Sequence, residues 1–372
     1  MLFCAAVALQ SCKDDDDPTF RVGGAEIEAD GYTAEGTLRL LYSVDDGGTF
    51  TATVPTDVKP GTKVLVKVNN GTSDLSDADF SFDWSGSTPA PSNVAGDIAE
   101  FTFGSNNASI NVEVADLWSL VSSHRNTGKF YSLDKTNGDS TEIFTVTFDG
   151  GKLSSVRGFV YHYNQKSFYA SVNTDVGGYL YKIAPVTKVA TRINENNGSD
   201  DHDVWDAIVN WAVAPDDSLI AVGDFNDDGN GIVKFGTDGG RSSKTTVVDI
   251  CCGLGMLYDA TASELLVGNG WESNDGEIII DVVGLDGEIT DSHTITNFEG
   301  FPTDFSEYWL TLKAMAKDKD GVIYGILFND GEKDSFLVKI DLAAGSISYV
   351  STLGTDNANQ FNTLVFLPNY TF

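Results

Sequence analysis

Ala314-Met315-Ala316-Lys317-Asp318, then Gly321-Val322-Ile323-Tyr324-Gly325, then Phe336-Leu337-Val338-Lys339-Ile340, is the stretch that decides the fold. Each run is short, apolar and rich in β-branched or aromatic residues. Asp, Gly and Lys separate the runs, as in strands joined by tight turns. The same order recurs upstream. Trp211-Ala212-Val213-Ala214-Pro215 precedes Ser218-Leu219-Ile220-Ala221-Val222, and Gly255-Met256-Leu257-Tyr258-Asp259 precedes Glu264-Leu265-Leu266-Val267. Gly158-Phe159-Val160-Tyr161-His162 precedes Ser167-Phe168-Tyr169-Ala170, then a third run at Gly178-Tyr179-Leu180-Tyr181-Lys182 and a short fourth at Lys188-Val189-Ala190-Thr191. The period is roughly 45 to 58 residues, that of propeller blades. Four antiparallel strands per repeat is the blade signature.

The ends of this region predict how the ring closes. Thr363-Leu364-Val365-Phe366-Leu367-Pro368 matches a first strand with nothing after it to complete a blade. Lys129-Phe130-Tyr131-Ser132, residues 142–148 and Lys152-Leu153 match second, third and fourth strands. The C-terminal segment is therefore expected to complete the first blade and leave few raw sheet edges. This reading predicts a five-bladed propeller over residues 117–372, or a six-bladed one if the strands near residues 109–120 join the ring.

Residues 20–116 have a different texture. Short runs at 37–42, 49–54, 63–68, 80–84, 100–103 and 109–114 read as strands. Val64, Val66 and Val68 alternate with Leu65 and Lys67, so one face is buried and the other wet. That pattern predicts an immunoglobulin-like β-sandwich without the paired cysteines of antibody domains. Pro89-Ala90-Pro91-Ser92 reads as a loop within it. The whole chain is thus expected to be all-β.

The formal net charge is −32, from 55 acidic against 23 basic residues. Such a surface repels a phosphate backbone, which excludes nucleic-acid binding by charge neutralisation. It also disfavours adsorption to anionic lipid. Beyond the N-terminal region no apolar stretch is long enough to span a bilayer as a helix. Mutual repulsion keeps an outward-facing protein dispersed.

At the N-terminus an apolar run leads into Leu9-Gln10-Ser11-Cys12, and Lys13-Asp14-Asp15-Asp16-Asp17 follows. The Leu three positions before a Cys, with a small residue between, resembles a bacterial lipobox. The Lys and Asp run resembles the export tag of Bacteroidota surface lipoproteins. The resemblance implies a signal peptide over residues 1–11, lipidation of Cys12, and an acidic tether over 12–19. It implies an outer-membrane location, lipid-anchored and facing the cell exterior. It also implies service to a nutrient transporter of the TonB-dependent kind, or to another surface protein. The ligand expected by that analogy is a glycan, a peptide or a metal chelate.

With Cys4 in the signal segment and Cys12 lipidated, only the adjacent pair Cys251 and Cys252 remains. No long-range disulfide scaffold follows. The pair could close as a strained vicinal disulfide, a rigid apolar knob for a ligand, or pack as two small buried thiols.

Two loops before first strands are long, at residues 194–207 and 297–309. Long loops are commonly functional. The first holds Asp201, His202, Asp203 and Trp205, a set suited to a transition metal or a positioned base. The second holds Phe298, Phe301, Phe305, Tyr308 and Trp309, which offer flat surfaces for ring stacking or else cap the core. These loops share one face of a propeller, and Trp211 enters from the neighbouring strand. Asp224-Phe225-Asn226-Asp227-Asp228-Gly229 opens like a calcium-binding loop, so Asp224, Asn226 and Asp228 are candidate ligands. Phe235 stands where the closing Glu of that motif belongs, and the same residues suit an ordinary hairpin turn. The sequence requires no cofactor, and calcium is the candidate it offers. His124, His162 and His293 have no visible partners and read as structural or surface residues.

A five-bladed propeller invites comparison with propeller glycosidases, which set a pair of carboxylates at the inner strand starts. Aligning the repeats puts Arg157, Asn210, Leu254, Lys313 and Thr363 at that level, and none is acidic. No nucleophile elbow or HExxH motif occurs. Arg157 and Lys313 are instead two inward cations suited to an anionic ligand. The sequence therefore predicts a non-catalytic surface protein whose propeller face captures a ligand. A structural or adhesive role in a surface complex is the second reading. A hydrolase or lyase using the His202 loop is the third.

Overall fold

The computed structural model describes residues 22–30, 38–56, 58–71, 73–77, 79–103, 108–124, 127–174, 177–193, 207–224, 230–246, 255–269, 276–302, 305, 310–329, 334–354 and 361–368. Among them there is no helix, and every regular element is a strand. The chain divides into two compact units, Met1–Leu117 and Trp118–Phe372.

The first unit has two sheets. One orders Arg39–Ser43, Lys63–Asn69, Ile98–Thr102 and Asn93–Ala95 antiparallel. The other places Ala108–Asp116 between Val22–Asp30, which runs parallel to it, and Phe80–Asp83. Val64, Val66 and Val68 point into a single core with Phe101, Ile110, Val112 and Val114. The Trp84 ring meets Phe101 edge-on at 6.0 Å between centroids. The alternation read in the sequence is thus the inward face of a two-sheet core. The run at 49–54 forms only an isolated bridge from Thr51 to Tyr42.

The second unit contains five sheets of four or five strands. Four of them begin with a first strand that continues through hairpins: Val156–His162, Ala207–Val213, Met256–Asp259 and Leu310–Lys317. In the remaining sheet the first strand is the C-terminal Val365–Pro368, paired antiparallel to Trp118–Ser123. Lys129–Leu133 and Ser140–Thr145 complete that sheet. The closure predicted from the C-terminal segment is present, with its strand order corrected. Trp118–Ser123, not the run at 129–132, is the second strand, and each later strand moves out by one place. Phe148 and Lys152 belong to a separate two-stranded ribbon. The reason is local. Trp118–Ser123 is buried along four consecutive residues, two of them serines, and so lacks the apolar alternation that marks a strand. Of the strands near residues 109–120, Ala108–Asp116 pairs inside the first unit and Trp118–Ser123 joins the closing sheet of the second.

No sheet closes on itself. Five side-chain cores join them in succession. Phe144 of the closing sheet packs with Phe159 and Phe168 of the next. Val160 and Tyr169 pack with Trp211 and Phe235, then Ile220 and Val222 with Met256 and Val267. Leu266 and Ile280 pack with Leu312 and Leu327, and Tyr324 and Ala316 pack with Leu120 and Leu364 of the closing sheet. Phe168 and Tyr169 therefore serve different cores, as strand pleat requires. A strand buried on both faces must be apolar throughout, as Ile323–Asn329 nearly is. Sheets packed face to face around an axis, with the first strands neighbouring one another inside, make a β-propeller.

Candidate functional site

The innermost strands surround a cavity of about 510 Å³. All five sheets supply it: Val160, Asn210 to Val213, Met256 to Tyr258, Met315 to Lys317, and Leu364 to Phe366. Its mouth lies at the C-terminal ends of the first strands, next to the hairpins at 163–166, 215–217, 260–263 and 319–321. Ala207 and Leu310 begin first strands at the opposite end; the loop expected at 297–309 opens with a strand, Asn297–Glu299, paired parallel to Ser346–Gly354, and residues 194–206 lie outside the described residues. The cavity is thus at the other mouth from the one the loop lengths favoured.

Aromatic rings line this mouth. Trp118 and Tyr163 lie 6.2 Å apart at 49°, and Tyr161 meets Tyr163 edge-on at 5.1 Å. Tyr163 is 47% exposed. Behind the lining, Asn210 Nδ2, Trp211 Nε1 and Tyr258 Oη are enclosed by protein, without a hydrogen-bond partner among the described residues, and the indole of Trp211 lies against Gly158.

His162, Asp217 and Lys317 of the wall are engaged. His162 is fully buried; its Nε2 donates to the Asp217 carbonyl at 2.9 Å and its Nδ1 accepts the Gln165 N–H at 3.3 Å. The sequence left His162 as structural or surface with no visible partner; here it is buried and bonded on both ring nitrogens. Asp217, held at φ +64°, accepts both bonds of its carboxylate from Asn164 Nδ2, at 2.7 and 2.9 Å. Lys317 Nζ sits 2.6 Å from Asp259 Oδ2. The ammonium beside Asp259 holds its carboxyl below the usual carboxylate range. Asp217 is the one carboxylate among the described lining residues, and none of them is Ser, Thr or Cys.

The sequence-derived candidates scatter. Trp211 lines the cavity, is 5% exposed, and meets Phe235 edge-on at 5.4 Å. Arg157 and Lys313 are the extra residues of β-bulges at one level of two first strands. The bulge at that level in the third sheet holds Val209 and not Asn210, because the ladder slips between Ile208 and Asn210. Lys313 Nζ lies 3.7 Å from the centre of the Phe328 ring on the adjacent strand. Phe301 is a packing residue: its ring meets Phe305 at 4.8 Å and Phe336 at 5.6 Å, inside the core of the fifth sheet. Asp201, His202, Trp205, Cys251, Cys252 and Trp309 lie outside the described residues, as do Asn226, Asp228 and Cys12. Asp224 closes a strand, with its backbone opposite Asn230. Among the described residues no group of three His, Cys, Asp or Glu side chains gathers as a metal site.

Sequence reasoning passed over Trp118, Tyr163, Asn164, Asp217 and Tyr258. The available signal was the recurring end of each first run, where Tyr161-His162-Tyr163 and Leu257-Tyr258-Asp259 carry aromatics directly before a turn.

No protein-family model matches this chain, and no curated protein does. Among solved structures it is similar to a chain of a nidogen/laminin complex, with 10% identity, a TM-score of 0.42, and coverage of 68% of this chain and 99% of that one. A periplasmic gluconolactonase of Pseudomonas aeruginosa gives 10% identity, a TM-score of 0.33, and coverage of 85% and 82%. An engineered GH43 glycoside hydrolase with endo-xylanase and exo-arabinofuranosidase activity gives 10% identity, a TM-score of 0.42, and coverage of 67% and 52%. The last two are β-propeller proteins. Likeness at this level assigns no activity or partner to the present chain.

Proposed function

We propose that this chain is a lipid-anchored cell-surface protein that captures a ligand without transforming it. In this reading Cys12 carries the lipid, an immunoglobulin-like sandwich acts as a spacer, and a five-bladed propeller presents the recognition site. The protein serves uptake at the outer membrane, beside a transporter of the TonB-dependent kind.

One observation carries the binding role. The central cavity has aromatic walls, yet its described lining offers a single carboxylate and no hydroxyl or thiol nucleophile of the Ser, Thr or Cys type. Glycosidic cleavage by an acid and a base needs two carboxylates flanking the bond. Mostly apolar walls with a few convergent polar groups are what recognition needs.

The test has two arms. In the native host, Cys12→Ala should move the protein from the membrane to the soluble fraction, and mass spectrometry of the parent should find an acylated Cys12. In vitro, the intact chain should bind a member of a glycan, peptide and metal-chelate panel and release no product from it. Product formation would replace capture with catalysis, and an unmodified Cys12 thiol would remove the anchor.

A further inference from the structure

We propose that the outer rim of the sheet beginning with Val156–His162 rests on an anionic bilayer, with Val186 in the headgroup interface and Lys152, Lys166, Lys182 and Arg192 on the lipid charges around it.

The first observation is where the positive charge lies. The chain carries −32, yet residues 118–193 hold nine Lys or Arg against five Asp or Glu. That sector is positive by four charges, so the remainder is negative by 36. Lys152, Lys166, Lys182 and Arg192 form no ion pair among the described residues. At physiological ionic strength charges beyond about 8 Å are largely screened. A surface laid on this rim therefore feels the local excess and not the total.

The second is that turn chemistry does not account for these residues. One end of each sheet carries the hairpins that join its first strand to its second and its third to its fourth. In the other four sheets Asp134, Asp216, Asp286 and Asp318 each accept a backbone N–H within such a hairpin. The two hairpins of this sheet, at 163–166 and 184–189, contain no acid. Gly138, Gly239, Gly287 and Gly345 take the left-handed position in the third-to-fourth hairpins elsewhere, whereas Lys188 takes it here at φ +56°. Lys166 is left-handed too, at φ +46°. A β-carbon disfavours that conformation, so turn geometry selects against both lysines.

The third is an apolar tip. Val186 is 93% exposed at the turn of the second hairpin, and Val189 beside it is 47% exposed. A convex tip offers no groove to a sugar chain or a peptide. It suits a soft plane, where an apolar group sinks below the headgroups and long cationic side chains reach them. Each Lys or Arg near an anionic surface strengthens attachment only about fivefold. So small a patch counts for a chain already held at the bilayer, as the Cys12 anchor proposed above holds it.

The test is vesicle co-sedimentation of the full chain carrying Cys12→Ala, so that no acyl chain contributes. Vesicles of phosphatidylcholine with about one third phosphatidylglycerol should carry the protein down, and pure phosphatidylcholine should not. Salt at about 0.5 M should release it. Val186→Asp should weaken binding about tenfold, and Lys166→Glu with Arg192→Glu at least tenfold. Lys63→Glu with Lys319→Glu makes the same change of net charge elsewhere and should leave binding intact. All variants should melt with the parent, so that lost binding is not lost folding. Equal binding to both vesicles, no binding to either, or binding that the rim variants leave unchanged would overturn the proposal. A pair of chains in sedimentation without lipid, dissolved by the same rim variants, would give the surface to a second copy instead. Acylation of Cys12 and ligand capture are measured separately, so failure here leaves both standing.

Discussion

The Thr363 hydroxyl accepts the Ser123 backbone N–H at 2.9 Å and donates to Ser123 Oγ at 3.0 Å, across 240 residues of sequence. Ser122 Oγ donates to the Thr363 carbonyl at the same place. All three residues are fully buried. The ring is thus latched where the last strand meets the second strand of its sheet. Covalent hairpins join the other first strands to their neighbours, but here only packing and hydrogen bonds do so.

Thr363→Val should therefore be costly although it keeps the side-chain shape. It leaves a buried N–H and a buried hydroxyl unmatched, worth about 1–3 kcal/mol each way the network fails. Thr363→Ser should retain most of the stability. Urea unfolding of the intact chain measures both.

Gly158 should tolerate no side chain. A Cβ there would lie 2.4 Å from Trp211 Cδ1 and 2.8 Å from Ser171 Oγ. Relief requires moving an indole packed in the core with Val160, Tyr169 and Phe235, so Gly158→Ala should destabilise by about 1–3 kcal/mol. Thermal melting reports the loss, and Trp fluorescence reports the displaced ring.

Acid should weaken the ring through its turns. The Ser218 hydroxyl holds the Asp216 carboxyl below the usual carboxylate range, and the Lys317 ammonium does the same for Asp259. Both groups bind protons more readily unfolded than folded. Their contribution is complete above the unfolded value near pH 4 and fades as pH falls through the lower folded values. Unfolding free energy should decline below about pH 4, and Asp259→Asn should flatten the decline.

Asp318 should behave oppositely. Burial raises its carboxyl above the ordinary range, against the backbone N–H of Val322, which lowers it. The folded state thus favours the protonated acid, and this group alone makes the protein more stable as pH falls toward the unfolded value. Asp318→Asn keeps an oxygen for the N–H groups of Asp320 and Val322 and removes the buried charge. Its melting temperature at pH 7 should be higher by about 2–4 °C.

Phe301→Ala should act on stability and not on ligand capture. Its ring packs against Phe305, Phe336 and Tyr349. Loss of such a ring costs about 3 kcal/mol. Unchanged ligand binding in the folded variant, measured by titration, would separate a packing role from a binding one.

Strand content, hairpin ends and the role of residues 363–368 were legible in the chain itself, because pleat alternation and Asx or Gly turns are set by neighbours a few residues apart. Phe168 and Tyr169 announce a strand buried on both sides without any knowledge of what covers it. Tertiary structure alone decided that Trp118–Ser123 belongs to the closing sheet, that Phe301 packs inward, and that Val209 shares the level of Arg157. It also decided which residues meet in the cavity. Tyr163 and Trp118 come from different sheets, and Asn210 and Tyr258 from two more, so no local pattern links them. A period of two tells a residue which face it occupies. Only the packing of one sheet on the next tells it what it faces there.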